Sequence, residues 1–364
     1  MKPEELKYWL ALDLVPGVGE GKLKALVLRF GSPQAVFRAS LQEFSEVPRM
    51  DEKTAKAILH SSEDSLKKEV DRQLQLIERH NVKVITFKDN DYPSSLLPIP
   101  DAPPILFVRG EILEKDKEAV AVVGCRAATG YGKAIAEKLA VDLAQRGITV
   151  VSGMARGIDS AAHRATLRVK GRTIAVLGCG VDIVYPSENR ELRDEIISRG
   201  AVISEFLMGT EPSAGNFPRR NRLITGLSLG VVAVEARKDS GVFSTVKWAL
   251  EQGKEVFAVP GPINASTSFG TNQLIKQGAK MVQTVEDILE ELKIQKEAAQ
   301  QVEKVLHLSE EERQIYDLLS ASPKHIDLIC EESDKPLPQL LTTLLDLELR
   351  GVVKQLAGKM FVRM

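Results

Sequence analysis

The chain has 364 residues, 43% of them hydrophobic and 27% charged, the balance of a soluble globular protein of two or three domains. Its formal net charge of −1 excludes a globally basic molecule, so any nucleic-acid binding has to come from a local patch. Cys125, Cys179 and Cys330 lie far apart, the histidines form no cluster, no apolar run is long enough to span a bilayer, and the Glu4-Glu5 start has no secretory h-region. The expectation is a cytoplasmic protein without metal, cofactor or membrane attachment.

Residues 1–80 read as short helices separated by turns. Val15-Pro16-Gly17-Val18-Gly19 is a tight apolar turn before a helix over Lys22–Phe30. Val47-Pro48-Arg49-Met50-Asp51 echoes it before Glu52–Leu59 but lacks both glycines. Paired turns of this kind resemble helix-hairpin-helix units, in which glycine lets backbone N–H groups approach a phosphate. A small packing domain is favoured over a DNA clamp, with the first hairpin as the candidate if there is one. Residues 81–118 bridge to the next region, with a strand over Val82–Phe87 and a proline-rich run from Tyr92 to Pro104 that has to be extended or turned.

From Val120 onward, apolar runs of strand length alternate with helical patterns. The runs are Val120–Val123, Ile148–Val151, Thr173–Leu177, Ala201–Ser204, Val231–Val234 and Glu255–Val259, with a shorter one near Lys280–Val282. The intervening helices are expected over Tyr131–Arg146, Ile158–Arg168, Glu188–Arg199, Arg219–Leu227, Phe243–Gln252, Thr271–Lys276 and Val285–Leu292. Strands without polar alternation, separated by helices, predict a Rossmann-like doubly wound parallel sheet of the α/β class. Its ligands belong beyond the carboxyl ends of the strands. A polar stretch, 293–308, is read as helix or linker. Ser309-Glu310-Glu311-Glu312 then opens three helical patterns, Glu310–Leu319, Ile326–Glu331 and Leu337–Arg350. A hairpin turning at Ala357-Gly358 completes a winged-helix-like unit. The expected division is therefore 1–80 helical, 81–292 extended Rossmann-like and DNA-binding, 293–308 linker and 309–364 winged-helix-like.

The strand-end loops combine small residues with bases. They are Gly124-Cys125-Arg126, Ser152-Gly153-Met154-Ala155-Arg156-Gly157, Gly178-Cys179-Gly180, and Glu235-Ala236-Arg237-Lys238-Asp239-Ser240-Gly241 leading to Ser244 and Thr245. Asn216-Phe217-Pro218-Arg219-Arg220-Asn221-Arg222 places three arginines and an aromatic ring at a loop-to-helix junction. Guanidinium forks grip phosphates, glycines and hydroxyls admit an anion, and a phenyl face can stack on a base. Arg126, Arg156, Arg219, Arg220, Arg222 and Lys238 are therefore expected at one end of the sheet, with Gly124, Ser152, Gly153, Gly157, Phe217, Asn221, Ser240, Gly241, Ser244 and Thr245. Residues 119–292 carry 21 Lys and Arg against 18 Asp and Glu, while residues 309–364 carry 7 against 10, so the last unit is acidic.

Catalytic machinery does not assemble from this pattern. Gly178-x-Gly180 lacks the third glycine of a dinucleotide loop, and Gly-Lys-Ser/Thr does not occur. Asp159 is read as a helix cap and His163 as a packed residue. Tyr185-Pro186 and Asn189 are read as loop-shaping and helix-capping.

Taken together, Gly124-Cys125-Arg126, Ser152–Asp159, Gly178–Asp182 with Tyr185-Pro186, Phe217–Arg222, Ser240-Gly241 with Ser244-Thr245, and Val259-Pro260-Gly261 resemble the bacterial DNA-processing protein A (DprA/Smf) family. The match covers residues 120–290, with weaker motifs on either side. It implies an extended Rossmann core and a non-enzymatic, homodimeric, single-stranded-DNA-binding protein of natural transformation, which protects incoming strands and loads the RecA recombinase. It also implies that Arg126, Phe217, Arg220 and Arg222 line the DNA pocket. Cys125 stands where the family usually has Ser. The same Rossmann variant is similar to phosphoribohydrolases with a PGGxGTxxE loop, but Trp248 here occupies the position of the glutamate, which ranks that alternative second.

Overall fold

Caps and glycine turns shape the first part of the chain. A computed structural model describes residues 3–60, 64–99, 101–295, 309–320, 323–333, 335–349, 352–356 and 358–363. Helices α1 (Pro3–Leu14), α2 (Glu20–Phe30), α3 (Pro33–Val36), α4 (Leu41–Phe44), α5 (Glu52–Leu59) and α6 (Asp64–Arg79) come first. Gly17 takes φ +88° in the turn before α2, and Asp51 caps α5 by accepting the Thr54 N–H at 2.8 Å. Lys22 of α2 reaches across to Asp51 and Thr54, tying the two hairpins together.

The sheet follows as β1 (Lys83–Thr86), β2 (Ile105–Gly110), β3 (Ala119–Val123), β4 (Thr149–Ser152), β5 (Thr173–Val176), β6 (Ala201–Ser204), β7 (Gly230–Ala233), β8 (Glu255–Ala258) and β9 (Lys280–Met281). Its order is β1-β2-β6-β5-β4-β3-β7-β8-β9, parallel from β6 through β9, with β2 and β1 antiparallel on the β6 edge. The strands from Val120 on fall where the apolar runs predict. β2 is an addition: Ile105–Val108 has the apolar composition of a strand, but it directly follows the proline-rich stretch and falls inside the expected bridge. Helices α7 (Gly130–Gln145), α8 (Ile158–Arg168), α9 (Arg190–Arg199), α10 (Asn216–Gly226), α11 (Val242–Glu251), α12 (Phe269–Lys276) and α13 (Val285–Glu291) fill the connections. α10 begins at Asn216, three residues earlier than expected. Pro218 therefore sits in its first turn, where a missing N–H leaves no helical bond unmade.

Both sheet faces are buried, one by a core around Leu223, Ile224, Val231 and Val246, the other by Leu139, Leu143, Phe257 and Ile288. The N-terminal helices bury Trp9, Leu23, Leu26 and Phe44 in a core that continues onto Ile105 and Phe107 of β2 and onto Met208. Met1–Ala299 thus forms one compact unit and Gln300–Met364 a second.

The second unit contains α14 (Glu310–Leu318), β10 (Lys324–His325), α15 (Ile326–Ser333), α16 (Leu337–Leu349), β11 (Val353–Leu356) and β12 (Met360–Arg363), with sheet order β10-β12-β11. Ser309 caps α14 with the predicted reciprocal box to Glu312. Ile315, Ile329, Leu340, Leu344 and Leu347 form its core, leaving Leu337, Leu341 and Leu345 of α16 exposed. Residues 296–308 of the expected linker, Arg350, and Ala357 of the expected wing turn lie outside the described residues. The α/β fold class with a helical N-terminal part and a winged-helix C-terminal part is borne out.

Candidate nucleic-acid interface

The parallel sheet runs outward in two directions from β3 and β7, so the loops after these two strands diverge and leave a crevice. A cleft of about 1090 Å³ opens there. Gly124–Ala127 after β3 and Arg237–Gly241 after β7 line it, with Ser244 and Thr245 of α11, Phe217, Arg220, Asn221 and Ile224 of α10, and Pro212 and Ala214 of the preceding loop. Arg126, Arg237 and Lys238 are exposed, and among the described residues none of the three makes an ion pair. The α11 N-terminus adds the positive end of a helix dipole, its Val242, Phe243 and Ser244 N–H groups being bonded within the Ser240–Gly241 turn at 3.3, 3.2 and 3.1 Å. A Cβ at Gly241 would meet open space, so an anion can approach that turn closely.

Phe217 stands at the centre of an aromatic and cationic cluster. The Arg126 guanidinium lies 5.1 Å from its ring centroid and that of Arg220 6.0 Å, while the Tyr185 ring is 5.6 Å away and tilted by 31°. Tyr185 is 38% exposed and offers the accessible aromatic face of this cluster. Beneath Phe217, Arg220 is buried and donates to the carbonyls of Gly153 (3.0 Å) and Val176. Burial pushes its pKa down to about 10, so it stays charged at neutral pH. A Cβ on Gly153 would come within 2.6 Å of this guanidinium, which accounts for glycine there.

The loop after β4 is built from within. Gly157, at φ +79°, packs against the Cys125 carbonyl and holds the loop that presents Arg126. Asp159 accepts the Gly153 and Ala155 N–H groups at 3.2 and 3.3 Å, and burial raises its pKa. It closes the preceding loop instead of capping α8. Asn189 stands at the N-cap position of α9 but its side chain makes no capping bond; its amide donates to the Met154 carbonyl at 2.9 Å and to Ser160. His163 is packed as expected, bonded to Thr173 at 2.6 Å, and burial lowers its pKa to about 3. Burial raises the Cys125 thiol, which also lines the cleft.

Three of the expected arginines do not face this cleft as free cations. Arg222 is 1% exposed and forms a bidentate pair with Glu205 at the end of β6 (2.9 and 2.7 Å). It also reaches Glu20 of α2 at 2.7 Å, and Arg219 contacts the same two carboxylates at 2.7 and 3.0 Å. The reason is helical geometry. At about 100° per residue, Phe217, Arg220, Asn221 and Ile224 share one face of α10, and Arg219 and Arg222 fall roughly opposite. Burial and the bond to Glu20 push the Glu205 carboxyl up, while Glu20, despite its burial, is held low by Glu205, Arg222 and Arg219. Arg156 is exposed but paired with Glu188. Ser152 is buried and spends its hydroxyl on the Val122 carbonyl at 2.6 Å. Tyr185, Arg237 and Glu20 are the residues the sequence reading overlooked. Arg237 was signalled by its place beside Lys238, whereas nothing local marks Glu20.

Among the described residues no group of three potential metal ligands forms, and no helix is long and apolar enough to cross a membrane. The family model described as DNA recombination-mediator protein A matches residues 83–293. A DprA winged helix domain model matches 297–359, and a SAM-like helix-hairpin-helix tandem matches 10–64. Protein Smf of Escherichia coli is 39% identical over 300 residues, covering 80% of each chain. The X-ray structure of DNA processing protein A from Streptococcus pneumoniae superposes with a TM-score of 0.67 at 33% identity, over 80% of this chain and 99% of that one. DNA processing protein A from Helicobacter pylori, solved for its single-stranded DNA binding mode, gives 0.52 at 30% identity, over 58% and 97%.

Proposed function

The chain belongs to the DNA recombination-mediator protein A family, and on that premise we propose that its strand-end cleft binds single-stranded DNA without catalysing a reaction. One observation carries the reading: the exposed cations around the cleft, Arg126, Arg237 and Lys238, make no ion pair among the described residues, whereas Arg156, Arg219 and Arg222 outside it are matched by glutamates. Phosphates sit against Arg126, Arg237 and Lys238 beside the Ser240–Thr245 turn, and a base stacks at Phe217 and Tyr185. Three phosphate contacts at about −0.7 each give a salt slope of roughly −2 for a single strand. The absence of a groove-reading helix in the cleft accounts for a preference over duplex.

The hydrolase alternative is not favoured. Trp248, at the glutamate position, donates its indole N–H to the Pro218 carbonyl at 3.0 Å. Of the nearby buried carboxylates, Asp159 is engaged by backbone N–H groups and Glu235 by Thr129 and Thr267. Family membership extends the proposal to natural transformation in the cytoplasm, homodimerisation and delivery of the strand to the RecA recombinase. Within it, residues 81–292 bind DNA and the acidic 309–364 unit docks protein. Fluorescence anisotropy with labelled single- and double-stranded oligomers, with and without RecA, tests the scheme. Tighter duplex binding or a salt-independent affinity refutes it, and base release from nucleoside monophosphates would restore the enzymatic alternative.

A further inference from the structure

Among the described residues, the N-terminal helices contribute none to the lining of the cleft, yet they grip the segment that forms one of its walls. That wall is the loop from Glu205 to Gly215, carrying Pro212 and Ala214, together with the first turn of α10 carrying Phe217. Two contacts hold it from behind. Gln73 of α6 is buried and pairs both ways with the Met208 backbone, donating to its carbonyl and accepting from its N–H, each at 3.0 Å. Glu20, the first residue of α2, bonds Arg222 at 2.7 and 2.8 Å and Arg219 at 2.7 Å. Arg222 and Arg219 stand on the face of α10 turned away from Phe217 and Arg220, so Glu20 and the cleft load opposite sides of one helical turn.

We propose that Glu20 is a positioning residue for the cleft: through Arg222 and Arg219 the N-terminal helical region sets the first turn of α10, and with it Phe217, for ligand binding. The proposal rests on the reading of the cleft as a single-stranded DNA site and adds a second requirement, that the helical region be docked. A competing arrangement, in which Glu20 withholds Arg219 from DNA, has less support. Arg219 lies over the Phe206 ring and outside the cleft lining.

The experiment uses the full chain carrying Glu20→Gln, with Gln73→Ala as a second variant that loosens the other grip without touching the ion pairs of Glu20. Anisotropy with a labelled single-stranded oligomer gives affinity and salt slope. A Trp9→Phe background leaves Trp248, bonded to the Pro218 carbonyl, as the single tryptophan reporting on the first turn of α10. Both variants should bind between about threefold and thirtyfold more weakly. The salt slope should be unchanged, because Arg126, Arg237 and Lys238 remain, and Trp248 emission should shift. Unchanged affinity and emission in a folded Glu20→Gln protein overturns the positioning role, as does tighter binding with a steeper salt slope, which would mean competition for Arg219. If Glu20→Gln does not fold, unchanged affinity of Gln73→Ala overturns it. Failure of the wild-type protein to bind single strands at any salt would instead sink the underlying reading, and the proposal with it.

Discussion

Replacing Arg222 with Ala separates a buried structural cation from a DNA-contacting one. The side chain is among the largest fully buried ones of the described residues and holds two carboxyl groups, those of Glu205 and Glu20, through contacts of 2.7–2.9 Å. Its loss leaves Glu205 and Glu20 sharing the half-exposed Arg219 and opens a void where the aliphatic stem packed. Breaking a buried pair on one side costs about 3–5 kcal/mol. For the Met1–Ala299 unit, unfolding entropy of about 2.1 cal/mol/K per residue converts this to a fall in melting temperature of roughly 5–8 °C. Differential scanning calorimetry of Arg222→Ala beside Arg126→Ala is the assay. Arg126 is exposed and unpaired, so its removal should leave the transition within about 1 °C, while lowering single-strand affinity and flattening the salt slope by about 0.7. An Arg222→Ala protein that melts with the wild type and flattens the salt slope as Arg126→Ala does would refute the assignment of Arg222 to the structural network.

Phe217→Ala should weaken single-strand binding by about 1–3 kcal/mol if a base stacks there, read by anisotropy; a lowered melting temperature with intact affinity would make the ring purely structural. Gly157→Ala forces a side chain into φ +79° against the Cys125 carbonyl and should destabilise by about 1–3 kcal/mol in chemical denaturation, displacing Arg126 with it. His163, whose folded pKa is about 3 against 6.5 unfolded, binds its proton only on unfolding, so its contribution is complete above pH 6.5 and is lost as pH falls toward 3. Relative to His163→Gln, the wild type should therefore lose about 1.4 kcal/mol per pH unit between pH 6 and 4, and a pH-independent difference would contradict a neutral buried ring. A chain ending near Leu292 should keep the single-strand affinity of each protomer, because residues 309–364 are acidic; a large loss with dimerisation unchanged would make the tail a DNA module.

Much of this was legible in the chain because buried parallel strands leave a plain mark. Val120–Val123 and Val231–Val234 read as strands because both sheet faces are covered, so no polar alternation blurs them. The loops after those strands were also legible, and Arg126, Phe217, Lys238, Ser240, Gly241, Ser244 and Thr245 do line one cleft. What was not legible depends on direction and distance. Arg219 and Arg222 stand beside Arg220 on the expected helix, but the helix turns them to the side away from the cleft, and the sequence does not say which face of the helix meets the ligand. Their partner Glu20 lies 202 residues from Arg222, and a glutamate opening a helix looks like ordinary dipole compensation. β2 escaped because β-propensity follows tertiary context, and its run abuts prolines. The family resemblance was readable from the combination of loops and is confirmed by the family model over residues 83–293.

The divided faces of α10 bear on how this segment could be moved between scaffolds. Grafted alone onto another α/β protein, Asn216–Arg222 would carry along two guanidinium groups with nothing to neutralise them. A designer would have to transplant four pieces: the helix turn, a glutamate at the neighbouring strand end, a second glutamate from outside the sheet, and a glycine where Gly153 makes room for Arg220. The transferable unit is therefore a three-dimensional module drawn from widely separated parts of the Met1–Ala299 region, and a seven-residue peptide is only its visible edge.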